Sequence, residues 1–256
     1  MTQGDDPEKM TQNGAMHVVL GQTVAMPVQV RTATAATAMF SVKADAAQRM
    51  VDYSGLDVLR YRPGRAMVGL VFVQYVDGDL GPYNEFGVCV LVRTHDEPGP
   101  RSTMGNLRAL VAGRAGVLIH RLPVDGEFTR AAGRQIWGFP KELADFDVDS
   151  AGPDTHVVLR QDGELVADLR IRPGLPAPAP GSGLALTAYS HLDGLTRHTA
   201  WEMRPSGVRS RPGGADLLLG THPVARELAE LGLPRRALFS TTIANLAMSF
   251  GDAEPG

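Results

Sequence analysis

The sequence predicts an α+β protein that is mainly β, an antiparallel β-barrel or strongly curved sheet with a few peripheral helices. Three observations lead there. Apolar, β-branched runs of strand length recur along the chain, tight Asp-Gly and Gly-Pro connections separate them, and helical patterns are few and short. A parallel nucleotide-binding sheet is disfavoured, because the strands do not alternate regularly with long helices.

Taken in order, residues 1–15 are polar, acidic and glycine-containing, which reads as a disordered tail without the apolar core of a signal peptide. Residues 16–256 read as a single domain. A helix is predicted over 44–51, capped by Ser41 or Asp45. The runs 67–75 and 86–93 flank Asp77-Gly78-Asp79 and Gly81-Pro82, so they are read as paired antiparallel strands. Helical patterns follow at 101–112 and 127–132. Runs 156–161 and 164–170 surround Asp162-Gly163, the best hairpin signal in the chain. The Pro/Gly-rich stretch 173–183 connects strands within the domain, and 184–190 and 199–203 read as further strands. Arg204, Arg209 and Arg211, set among prolines and glycines, read as a solvated loop. A last helix covers 224–231, with Thr221 as cap, Pro223 in the first turn and Gly232 as terminator.

Composition narrows the function. A chain of 256 residues with 43% hydrophobic and 21% charged residues can bury a substantial core. A net charge of −3 with scattered arginines gives no reason to expect nucleic acid as a partner. No apolar run approaches the length that crosses a bilayer. The single cysteine, Cys89, excludes an intrachain disulfide, reads as a strand residue and fits a reducing cytoplasm, the expected location. No phosphate-binding loop, dinucleotide fingerprint or nucleophile elbow occurs. No metal site is expected: His191 and His198 lack further convergent ligands, His120 reads as a packed or rim residue, and Asp77 and Asp79 as turn residues.

The most informative segment is Gly133-Arg134-Gln135-Ile136-Trp137-Gly138-Phe139-Pro140-Lys141-Glu142. A lysine amine is protonated at neutral pH and becomes a nucleophile only when water is removed from it or positive charge is set beside it. Ile136, Trp137 and Phe139 could supply a dry wall, and Pro140 restricts the backbone that presents Lys141. On local chemistry alone, a solvated lysine after a buried aromatic turn is the commoner outcome.

The segment resembles the signature of the acetoacetate decarboxylase family, with Lys141 on its imine-forming lysine. Gly81-Pro82-Tyr83-Asn84-Glu85 is similar to the family's Tyr-x-Glu element, and the stretches 222–228, 231–234 and 250–254 look like its bacterial decarboxylase-like branch. The resemblance covers roughly residues 35 to 254. It implies a cone-like barrel enclosing Lys141, with Glu85 facing the lysine to orient the imine or move a proton. Tyr83 and Arg134 join Trp137 and Phe139 as pocket residues, Arg134 alternatively holding the lysine loop. It also implies a small carbonyl substrate, homo-oligomerisation and no cofactor. Three departures stand out. Glu142 replaces the second lysine, Gln135 replaces a glutamate, and residues 32–39 lack the arginine that holds the substrate carboxylate, with Arg31 just outside. With no neighbouring cation at 142, burial would have to depress the Lys141 pKa. The expected function is a Schiff-base lyase acting on a small keto acid or ketone, with decarboxylation favoured. The alternatives are aldolase or dehydratase chemistry on a keto acid such as pyruvate, and a noncatalytic small-molecule binding protein.

Overall fold

A computed structural model describes residues 15–93, 105–106, 115–178 and 184–255. The expected tail and most of the helix expected over 101–112 lie outside the described residues. Along the chain come β1 (Met16–Val19), β2 (Gln22–Ala25), β3 (Val28–Lys43), helix α1 (Ala44–Val51) and a 3-10 turn, Asp52–Ser54. Then follow β4 (Arg60–Arg62), β5 (Arg65–Gly78), β6 (Tyr83–Val92), β7 (Gly116–Val124), α2 (Glu127–Trp137), β8 (Lys141–Leu143) and β9 (Asp145–Asp149). The remainder is β10 (Thr155–Gln161), β11 (Glu164–Ile171), β12 (Leu175–Pro176), β13 (Leu184–Leu192), β14 (Leu195–Pro212), β15 (Ala215–Leu219), α3 (Pro223–Glu230) and β16 (Phe239–Pro255).

The large sheet closes on itself. Its path runs β14-β13-β7-β6-β5-β3-β16, and β16 pairs back onto β14, making a seven-stranded barrel. Every joint is antiparallel except β13–β7, which is parallel, as is the addition of β8 to the other end of β7. A second antiparallel sheet, β15-β11-β10-β9, lies against the outside.

Strand alternation explains both layers. On β5, β6 and the part of β3 from Ala36 onward, the even-numbered residues, including Phe40, Leu70, Phe72, Phe86 and Val88, point outward into a core shared with Val157, Leu159, Leu169 and Leu228. The odd-numbered residues of the same strands point into the barrel. The hairpin at Asp162-Gly163 forms as expected, both residues at positive φ (52° and 78°), which a two-residue type I′ connection requires.

Several expectations are corrected. Arg204, Arg209 and Arg211 do not lie in a loop: β14 runs through them to Pro212, laddered to β16. Pro205 falls beyond the last described β13 partner, Met203, where one side of β14 has no neighbouring strand among the described residues, a position at which a missing N–H is tolerated. Helix α1 has no side-chain cap; the Ser41 hydroxyl accepts from Tyr61 and Asp45 pairs with Arg60. The α3 cap is His222, whose Nδ1 accepts from the Val224 N–H, while Thr221 donates to Glu164. Helix α2 is longer than expected, ending at Trp137 on Gly138, whose left-handed φ of 64° closes the helix.

Candidate active site

Three elements converge at one end of the barrel interior. Helix α2 enters after β7 and ends at Gly138; the chain turns through Phe139-Pro140 and starts β8 at Lys141, parallel to β7 with Lys141 opposite Leu122. Thr129, Gly133 and Trp137 recur every four residues and so share a face of α2. Gly133 is where the lysine stem lies: an added Cβ would sit 2.5 Å from Lys141 Cδ and 2.8 Å from Cε. Arg134 Nη1 donates to the Lys141 carbonyl oxygen (3.2 Å), fastening the turn to the helix.

The lysine is 3% exposed. Its Nζ stands 2.9 Å from Glu85 Oε2, donates to Thr129 Oγ1 at 2.8 Å, and lies 4.8 Å from the centre of the Tyr83 ring, a cation–π distance. Glu85 and Tyr83 share the inner face of β6. Their β5 partners are Val73 and Tyr75; Tyr75 stacks on Tyr83 at 4.2 Å and donates its hydroxyl to Glu85 Oε1 at 2.9 Å. Lys141 and Glu85, expected to face each other, therefore do so, with Tyr83 beneath them. Tyr75 and Thr129, not singled out from the sequence, complete the shell.

Electrostatics corrects one expectation. Burial works to lower the Lys141 pKa, but the Glu85 carboxylate and the Tyr83 hydroxyl outweigh it, and the amine is held above its ordinary value. The resting amine is an ammonium. Burial raises Tyr75 well above the ordinary phenol range, with Glu85 reinforcing it; burial also raises Tyr83, partly opposed by Lys141. Glu142 points to the other side of β8, where it accepts from Gln161 Nε2 at 2.9 Å, so its charge is directed away from the amine.

Glu85 and Tyr75 border a barrel cavity of about 250 Å³. The rest of its wall is mostly apolar, with Val71, Val73, Ile119, Leu122, Leu186 and Met203 prominent. Cys89 also faces it; burial pushes the thiol up to about 12, keeping it protonated and unreactive. Trp137 and Phe139 are buried one layer behind. They stack on each other (5.8 Å) and meet Phe250 and Trp201, and the Trp137 indole donates to the Gly251 carbonyl oxygen at 2.7 Å. Arg31 is not at this site. Its guanidinium is exposed and forks onto Asp77 (2.7 and 2.8 Å) and reaches Asp79 (2.7 Å). His120 is buried between the Tyr53 hydroxyl and Glu227, away from the cavity wall.

Solved structures of similar fold include acetoacetate decarboxylase from Legionella pneumophila (17% identity, 90% of this chain and 87% of that one, TM-score 0.61). The enduracididine biosynthesis enzyme MppR complexed with pyruvate is also similar (15%, 91% of each chain, TM-score 0.63). So is an acetoacetate decarboxylase-like enzyme from Sphingomonas wittichii RW1 (17%, 95% of this chain and 99% of that one, TM-score 0.55). At these identities the likeness speaks for the fold alone. No curated protein matches the chain in sequence. The model of the family described as acetoacetate decarboxylase, however, matches residues 18–253, from β1 to near the end of β16. With all but the last two residues of the barrel inside that match, this chain belongs to the acetoacetate decarboxylase family.

Proposed function

We propose that the protein is a lyase in which Lys141 forms an imine with a small carbonyl compound. The observation that carries the reading is the buried pair of Lys141 Nζ and Glu85 Oε2, 2.9 Å apart at the edge of an apolar cavity. Moving one proton across that gap makes both groups neutral, the form that a water-excluding site favours when substrate fills it. The free amine adds to the substrate carbonyl carbon, and Glu85 returns the proton to the oxygen as the carbinolamine forms. Loss of water then leaves a protonated imine and a Glu85 carboxylate. The sum is ammonium plus carbonyl giving iminium plus water. From there the iminium draws in the electron pair of a breaking bond, and Glu85 is placed to take or give a proton at the adjacent carbon, with the Tyr75 hydroxyl steadying it.

Family membership supports decarboxylation of a keto acid as the bond-breaking step. Aldol or dehydration chemistry is a second reading favoured by one observation. Among the described residues the cavity wall carries no arginine, lysine or histidine to hold a carboxylate. Borohydride trapping of the purified protein with acetoacetate, pyruvate and simple ketones, followed by peptide mapping, tests the imine. A substrate-dependent adduct on Lys141 is expected; folded protein that gives no adduct with any carbonyl compound would overturn the reading and favour a binding role.

A further inference from the structure

The barrel cavity is long in one direction. β5 lines it with four successive inward positions, from Tyr75 back to Gly69, and the neighbouring β6 with four more, from Glu85 to Leu91. Six residues of strand span roughly 20 Å, which at the usual tilt of barrel strands is about 15 Å along the barrel axis. The Tyr75 hydroxyl and the Glu85 carboxylate mark one end of this run, beside Lys141 Nζ. Beyond them the wall passes through Val71, Cys89 and Ile119 to Met39, Leu91 and Val117. Val71, Cys89, Met39, Leu91 and Val117 are only partly buried although they point inward, so the surface they keep is cavity surface.

Size decides what fills such a space. An apolar cavity of about 150 Å³ takes a six-carbon ring, so by proportion this one, about 250 Å³, takes a body of about ten non-hydrogen atoms. A substrate of three or four carbons held at the Lys141 end would leave the wall beyond Val71 facing a dry void, its dispersion contacts unmade. Each methylene added along the run is removed from water and packed against that wall. The far end has an adaptable stop. A Cβ on Gly69 would stand 2.9 Å from Met39 Sδ, so the methionine, its partner on β3, lies across the glycine, and an unbranched thioether can shift to suit what reaches it.

We infer that the cavity takes a carbonyl compound with an elongated apolar tail, about ten non-hydrogen atoms in all. Its carbonyl lies at the Lys141 end and its tail runs along β5 and β6 toward Met39 and Leu91, with Met39 and Cys89 setting the length accepted. The inference rests on the imine reading of Lys141 and names the substrate class within it, whichever bond is then broken.

The test is borohydride trapping with the odd-numbered methyl ketones from acetone through nonan-2-one to tridecan-2-one. The concentration that half-labels Lys141 is expected to fall about three- to fourfold per added methylene up to nonan-2-one, and then to level off or rise. Met39→Ala, which opens the far end, should move the best ketone about one member longer, and Cys89→Leu, which fills the run midway, about one member shorter. General damage to the barrel cannot produce opposite shifts, and either shift alone suffices where one variant fails to fold. Equal labelling across the series, best labelling by acetone, a gain that continues undiminished to tridecan-2-one, or a preferred length that neither variant moves would overturn the inference. If no ketone labels Lys141, the imine reading fails, and equilibrium binding of the same series decides the rest, read by tryptophan fluorescence because Trp201 lines the cavity. A preferred length near nonan-2-one then upholds the inference; no preference, or no binding, removes it.

Discussion

At the scale of single residues, the proposed chemistry hangs on a lysine whose charge is held in place by one carboxylate. Replacing Glu85 by Gln removes the first group that opposes burial, so the Lys141 pKa should fall and the pH profile of borohydride trapping should move to lower pH, while the maximal trapping rate drops because the proton relay is lost. The pair also links pH to stability. A lysine whose folded pKa is raised contributes stability that is fully present below the ordinary lysine value of about 10.4 and is lost as the pH climbs through the raised value. Unfolding midpoints should therefore drop at strongly alkaline pH in the parent, and less so in Lys141→Met. Gly133→Ala makes a different prediction. The new methyl would meet the lysine stem at 2.5 Å, and with Nζ held by Glu85 and Thr129 the amine must shift. A misplacement near 1 Å is expected to slow imine formation by about 100-fold with the protein still folded; circular dichroism beside trapping rates checks both halves.

The meeting of Lys141, Glu85 and Tyr83 was legible because two short motifs carry them. Tyr75 and Thr129 were not, for physical reasons. Tyr75 sits in a run that reads as strand, but which face it takes depends on the register that sets it opposite Tyr83. Thr129 was inside a recognised helix; its four-residue spacing from Gly133 was the available signal, though only the packing of the lysine stem on that glycine gives the spacing meaning.

Among the elements, the compact strands with apolar alternation were readable, and the long ones were not. β14 extends for 18 residues through arginines and prolines because β16 supplies its ladder along nearly the whole length, a long-range partner that no local pattern announces. The same holds for β3, whose Ala- and Thr-rich sequence has weak strand character outside its place between β5 and β16. Helix α3 is tied to the barrel by a chain from the 3-10 turn through β7: the Tyr53 hydroxyl bonds His120 Nδ1 (2.9 Å), His120 Nε2 stands 3.0 Å from Glu227, and Arg121 bonds the same carboxylate (3.2 Å). Burial pushes the Glu227 pKa up, but His120 and Arg121 outweigh it and hold the carboxyl down to about 2. A depressed carboxyl contributes stability above its ordinary value of 4.5 that is lost as the pH falls through about 2. Glu227→Gln should thus be less stable than the parent at neutral pH, and the difference should shrink across that acid window in urea titrations.

For the molecule as a whole, the barrel divides labour between the two faces of its strands. Phe72 points outward and Val71 inward on adjacent positions of β5. Phe72→Ala should cost about 3–5 kcal/mol in urea unfolding while leaving trapping per folded molecule intact. Val71→Phe, directed into a cavity of about 250 Å³, should cost no more than about 1–3 kcal/mol and abolish trapping. Strand alternation separates the two effects by a single step along the chain. Descendants of this sequence can therefore diverge in what they accept by drifting at inward positions while their outward positions stay put. Such a lineage would change its chemistry repeatedly without passing through an unstable ancestor.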